Sequence, residues 1–333
     1  SFPAKVTALL LARFKALGGT AQSGLAFLPC ELIEANGSKL RNYVLQYAFE
    51  WALPADFVAW VKAHNVFCNT LVDRIVPGFP AAEAKVLYER FGYEDPLLVA
   101  AEPFLLWVIE GPAALADEFP LHRAGLDVVW TDDLQPYRTR KVRILNGAHT
   151  ASALAAYSAG LDTVKEMVDD PVVSKYLNQV MFAEIVPFVP LPEAERQSYA
   201  NTIMERFGNP FIRHELISIA LNSVSKWQVR VLPTVKDYAA KHGKAPKGLA
   251  FSLAALLDFY RGKFAANGDY EGTRQAGAYP IKDNADILSI MNAAWASSTD
   301  AAQVAALLLA DTRLWGEDLT QVAGLAEQAA AAL

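Results

Sequence analysis

Apolar residues recur along this chain with two different rhythms, and the change between them falls near residue 140. Before it, short apolar runs alternate with helical stretches. Val6 to Leu17 has helical spacing and stops at Gly18-Gly19, and Gly24 to Pro29 reads as a short strand leading into a loop at Glu31 to Gly37. Helices are predicted over Ser38 to Trp51 and from Pro54 to about His64, since proline is well suited to a helix start. Val66 to Val76, Phe104 to Ile109 and Leu126 to Trp130 are strand-like and bounded by Gly, Pro or Asp. These strands are too few for a complete parallel α/β domain.

After Arg140 the strand rhythm fades and helical spacing takes over. Helices are expected over Lys141 to Ala159, Val172 to Val186, Pro192 to Phe207, Pro210 to Asn222, Leu232 to His242 and Leu249 to Tyr260. A Gly-rich loop, Ala265 to Ala278, then precedes three Ala-rich helices. The expected architecture is α/β followed by a mainly α part, with a boundary at residues 140/141 and an all-helical C-terminal domain over 141–333.

Composition narrows the function classes. At 333 residues, 53% hydrophobic and 20% charged, the chain can bury a large core, and no run reaches the ~18 apolar residues of a membrane span. A net charge of −6 argues against a general nucleic-acid binder, which gains affinity by neutralising phosphates with clustered Lys and Arg. A small anionic substrate needs only a local basic patch. Cys30 and Cys68 form no disulfide framework and have no neighbouring metal-ligand partners, so buried thiols are expected. His214-Glu-Leu-Ile-Ser218 lacks the second His of a zinc helix, and no metal site is expected. The start, Ser1-Phe2-Pro3, has no initiator Met and no secretory layout, which predicts a chain that begins mid-protein.

The strongest chemical signal is Lys141-Val-Arg-Ile-Leu-Asn146-Gly-Ala-His149. At about 100° per residue, Lys141, His149 and Asn146 fall at about 0°, 80° and 140°, one broad helix face on which three polar groups can converge on a hydroxyl or carbonyl. A lysine at a helix start and a hydrogen-bonded core histidine are common structural features. Asn followed by Gly in mid-helix is not, because both have low helix propensity.

Lys, five residues, Asn, two residues, His is the signature of the polyol-specific long-chain dehydrogenases, and the chain is identified on it as a member of the mannitol dehydrogenase family. Pro29-Cys-Glu-Leu-Ile-Glu-Ala-Asn36-Gly37 resembles the family's loop with a second active-site Asn, and Thr70-Leu-Val-Asp-Arg-Ile75 its central strand. The wording of these segments, with Glu50-Trp-Ala-Leu-Pro54, is most similar to the branch that interconverts tagaturonate and altronate. The resemblance runs from the first residue to about Arg261.

What the resemblance implies is a remnant of a Rossmann-like NAD-binding domain over 1–140 and a substrate domain beyond it, with the active site between them. The chain has no Gly-x-Gly-x-x-Gly turn; that turn is expected upstream of residue 1. The implied chemistry is cytoplasmic, metal-free and NAD-dependent. Lys141 acts as general acid/base, Asn36 and Asn146 donate to the developing alkoxide, and His149 binds a substrate hydroxyl or orients Lys141. Arg138, Arg140 and Arg143 are the cations expected to lower the Lys141 pKa. A sugar-acid carboxylate needs a cationic partner, for which Arg213 and Lys226 are the candidates. Asp73 and Arg74 read as a structural ion pair or turn anchor, and Asp132-Asp133 as a helix cap. Fructuronate reductase or another polyol dehydrogenase shares the Lys-Asn-His set, and a non-catalytic helical binding module is the reading of a different class.

Overall fold

The structure is a computed structural model describing residues 1–333. It divides into two compact units, Ser1–Arg138 and Thr139–Leu333.

In the first unit α1 (Phe2–Leu17) starts at Ser1, whose hydroxyl accepts from the Ala4 amide, and stops at Gly18 in the left-handed region. It packs with α2 (Asn36–Glu50) and α3 (Ala55–His64) around Leu10, Val44, Phe57 and Trp60. The run expected as one strand over Val66 to Val76 is two. β2 (Val66–Phe67) pairs in parallel with β1 (Ala26–Phe27), while β3 (Asn69–Asp73) turns to a separate sheet. There β3 is antiparallel to β4 (Leu106–Glu110), and β4 is parallel to β5 (Val128–Thr131). The break falls at Cys68, whose carbonyl lies against Gly37; a Cβ on Gly37 would sit 2.1 Å from that oxygen. The unit also holds two short helices, α4 (Ala84–Phe91) and α5 (Leu115–Glu118), where the sequence reading placed no element.

Arg74 donates from Nε to the Glu102 carbonyl at 2.9 Å, and the Glu102 carboxylate accepts from the Ile75 amide at 2.6 Å, so this stretch is a turn anchor. Asp133 caps as expected, accepting from the Gln135 amide at 2.9 Å.

The second unit is mainly helical. A continuous run is built from α6 (Gln135–Arg140), a π segment (Lys141–Asn146) and α7 (Gly147–Ser158). It is followed by α8 (Val164–Asp169), α9 (Pro171–Asn178), α10 (Glu193–Phe207), α11 (Leu216–Ile219), α12 (Ser223–Arg230), α13 (Leu232–His242) and α14 (Lys247–Phe259). The chain closes with α15 (Ala285–Ser297), α16 (Ala301–Ala310), α17 (Thr312–Trp315) and α18 (Leu325–Ala330). Helix α7 is buried nearly all round through Ala148, Ala151, Ala153 and Ala156, and it packs against α14, α11 and α12, as expected of a central helix. Trp227 and Trp315 lie fully buried in the same core.

Three expectations for this half are corrected. The Gly-rich stretch is not a loop, and the domain is not all-helical: β6 (Gly262–Phe264), β7 (Tyr270–Arg274) and β8 (Gly277–Pro280) form an antiparallel sheet. Glycine weakens a strand, but here Gly272 stands opposite Tyr279, whose ring occupies the space a side chain would take. Tyr270 and Tyr279 then bury their rings and donate to the Tyr260 and Phe259 carbonyls at 3.0 and 2.9 Å.

The helix expected over Pro210 to Asn222 shrinks to α11. Its first half bonds elsewhere: the Val164 amide donates to the His214 carbonyl at 2.9 Å and the Leu216 amide to the Asp162 carbonyl at 2.8 Å. The helix expected over Val172 to Val186 changes type, passing from α9 into a second π segment (Gln179–Ile185) that ends one residue before Val186-Pro187.

Candidate active site

The Lys-Asn-His signature falls on the first π segment. Lys141 and Asn146 are its first and last residues, both half-buried, and His149 follows within the first turn of α7. The Gly147 amide donates to the Val142 carbonyl five residues back, the bond that widens the turn. A wider turn shifts the helical phase, so the angles expected of a regular α-helix do not apply between Lys141 and Asn146. π segments are frequent at functional sites because they re-aim side chains on an otherwise regular helix.

Gly147, unfavourable by propensity, has a packing reason. A Cβ there would lie 3.2 Å from the Arg230 carbonyl oxygen, so glycine lets the end of α12 close on the start of α7. Arg230 also donates from Nη1 to Thr150 Oγ1 at 3.4 Å.

His149 is buried. Its ring stacks on Phe207, 4.0 Å between centroids and 11° between planes, and meets His214 edge-on at 5.2 Å. Its Nε2 is enclosed and has no hydrogen-bond partner. Burial, and then the charges of His214, Arg230, Arg206 and Lys226, hold its pKa well below 6.5, so the imidazole is neutral at pH 7. A neutral ring with an unused nitrogen can give or take one hydrogen bond.

The expected cations are partly reassigned. Arg140 pairs with Glu195 at 2.8 Å and Arg143 with Asp237 at 2.5 Å, so each of these two cations has a carboxylate against it. Arg213 has a side chain 72% exposed and pairs with Glu215 at 2.5 Å, which sets it on the surface. Lys226 is half-buried, donates to the Ile219 carbonyl at 2.9 Å, and has its pKa lowered to about 8 by burial and then by Arg230. The residue that the sequence reading missed is Arg230. The one available signal was the four-residue spacing of Lys226 and Arg230.

In the first unit Asn36 is buried and fully engaged. Its amide nitrogen donates to the Pro29 and Glu31 carbonyls at 2.9 and 3.1 Å, and its oxygen accepts from Gly37 and Thr70 amides at 2.9 and 2.8 Å. Those bonds hold the loop against β3. Asn69 takes the Ser38 amide at 3.0 Å and donates to Glu110 at 2.9 Å. The first amides of α2 are therefore bonded to side chains, and that helix start is not a pyrophosphate cradle of the kind formed by a Gly-rich turn. Cys68 is buried, but Cys30 is exposed, against expectation.

Comparison with known proteins agrees with this layout. The mannitol dehydrogenase Rossmann domain matches residues 1–123, and the mannitol dehydrogenase C-terminal domain matches 133–333. Altronate oxidoreductase of Pectobacterium carotovorum subsp. carotovorum (strain PC1) is 46% identical over 98% of this chain and 67% of its own length. Altronate oxidoreductase of Escherichia coli (strain SMS-3-5 / SECEC) is 44% identical over 99% of this chain and 67% of its own. Among solved structures, Pseudomonas fluorescens mannitol 2-dehydrogenase, in a ternary complex with NAD and D-mannitol, superposes with a TM-score of 0.69 at 26% identity, covering 92% of this chain. A substrate-free D-sorbitol dehydrogenase shares the fold, with a TM-score of 0.76 at 23% identity over 98% of this chain. The chain spans 58% and 62% of those two structures' lengths. With both halves of the chain matched, and relatives at this identity along nearly all of it, the chain belongs to the mannitol dehydrogenase family.

Proposed function

We propose that this chain carries the substrate-binding and proton-transferring part of an NAD-dependent oxidoreductase that interconverts tagaturonate and altronate in cytoplasmic sugar-acid catabolism. The observation that carries the reading is the π segment bounded by Lys141 and Asn146 and leading into a buried, neutral His149. The name shared by the curated relatives supports the substrate pair, and the complex of mannitol 2-dehydrogenase with NAD supports the cofactor.

A nicotinamide, when bound, gives or takes the hydride. The residues present do not form its pyrophosphate cradle; this chain's part is to handle the substrate oxygen and the proton. A ketone that accepts hydride becomes an alkoxide. Lys141 delivers the proton from Nζ to that oxygen, and in the reverse direction accepts it from the hydroxyl. Asn146 donates an amide hydrogen to the same oxygen while its charge develops. His149, held neutral, uses Nε2 to bond a neighbouring substrate hydroxyl. Asn36, whose hydrogens already serve backbone carbonyls, positions the Pro29 to Glu31 loop instead of donating to the substrate.

The test is Lys141→Ala in the full-length enzyme, with turnover and NADH binding measured on the same preparation. Turnover should fall ~100- to 10,000-fold with NADH affinity nearly unchanged. Retention of more than about a tenth of wild-type turnover would reject Lys141 as the acid/base and make His149 the leading group. A substrate panel of tagaturonate, fructuronate and neutral ketoses separates this reading from the other members of the family.

A further inference from the structure

Helix α12 carries two cations on one face with nothing on that helix to offset them. Lys226 and Arg230 stand four residues apart in a segment, Ser223–Arg230, that contains no Asp or Glu. Like charges at this spacing repel on a helix. Both groups are also partly withdrawn from water, and burial lowers the pKa of each. The carboxylate that acts on Lys226 is Asp283, which already accepts a hydrogen bond from the Tyr260 hydroxyl. Arg206 is buried at the end of α10, and the adjacent Phe207 covers one face of His149.

These groups converge. Helices α10 and α12 both pack against the π segment, and α12 packs along α7. The charges that act on His149 are those of His214, Arg230, Arg206 and Lys226, and all are basic. At the centre stands a buried imidazole nitrogen without a partner. A concentration of desolvated positive charge is unfavourable by itself and is relieved when an anion enters. A guanidinium in such a place favours a planar anion that can take two parallel N–H bonds.

We propose that Arg230, with Lys226 beside it, anchors the substrate carboxylate, and that this pair selects a sugar acid over the neutral polyol of the same configuration. The inference rests on the oxidoreductase reading above and deepens it by naming the specificity residue. Arg213 has no part in it.

The test compares full-length wild type with Arg230→Gln and Arg230→Lys on altronate and on its neutral counterpart, in which a hydroxymethyl group replaces the carboxylate. A hydrogen bond to a charged group corresponds to about a 10- to 100-fold effect. The ratio of kcat/KM for acid over polyol should therefore fall by that factor in Arg230→Gln, mostly through KM, with partial recovery in Arg230→Lys. An unchanged ratio in either folded variant overturns the proposal. So does an equal loss on both substrates, because a purely structural arginine would produce it. A second measurement separates this proposal from the parent reading: the thermal midpoint with and without altronate. Altronate should raise the wild-type midpoint and leave Arg230→Gln unmoved. If altronate stabilises only the wild type while no NAD-dependent turnover exists, the anchor stands and the oxidoreductase reading falls. If turnover exists and the variant keeps the acid preference, the anchor falls and the reading stands.

Discussion

The buried neutral His149 should leave a measurable signature in the stability of the second unit. A histidine titrates near 6.5 in the unfolded chain, and in the fold burial and four neighbouring basic groups push its pKa well below that. The sign follows from proton binding: below pH 6.5 the unfolded state takes up a proton that the folded state refuses, so stability is present above pH 6.5 and declines as pH falls. With the folded group neutral across this range, the loss between pH 7.5 and 5.5 is on the order of 1 kcal/mol. His149→Gln removes this contribution and keeps a polar side chain, and any packing penalty is common to both pH values and cancels. The assay is urea unfolding followed by tryptophan fluorescence, since Trp227 and Trp315 are buried in the same core. At a slope of about 2 kcal/mol/M, the wild-type midpoint should drop by roughly half a molar more than the variant's between the two pH values. Equal drops, within about 0.1 M on that slope, would show that His149 protonates as readily folded as unfolded, and the neutral-imidazole role would fail with it.

Other perturbations probe other parts of the same structure. Asn146→Ala should lower kcat ~100-fold or more in the full-length enzyme while leaving proton transfer through Lys141 in place, a split visible in an unchanged pH profile. Gly147→Ala sets a helix-propensity gain of about 1 kcal/mol against a Cβ placed 3.2 Å from the Arg230 carbonyl. Overpacking of about 1 to 3 kcal/mol should win or balance, so urea unfolding should show no stabilisation, and a clear gain would mean that α12 yields easily. Glu184 accepts from the Gly248 and Leu249 amides at 2.9 and 2.8 Å at the start of α14. Glu184→Ala should lower unfolding free energy by about 2 to 5 kcal/mol because two enclosed donors lose their acceptor; Glu184→Gln should recover part of it.

Much of this protein was determined by local sequence. Periodic apolar spacing marked α1, α3, α10, α13 and α14 within a few residues, because each helix buries one face or more in a contiguous core and is bounded by Pro or Gly. Lys141, Asn146 and His149 stand out in the sequence as polar positions that interrupt an otherwise apolar run. What local pattern could not fix were features created by contacts between distant segments. The π segment needs one displaced backbone bond, which no residue type announces. Gly272 makes a strand only because Tyr279 fills its empty side. Residues 210 to 215 leave the helical state because their neighbours at 162 to 164 offer bonds. The basic surround of His149 comes from α10 and α12, more than fifty residues beyond it in sequence, and only packing brings those charges to one buried nitrogen.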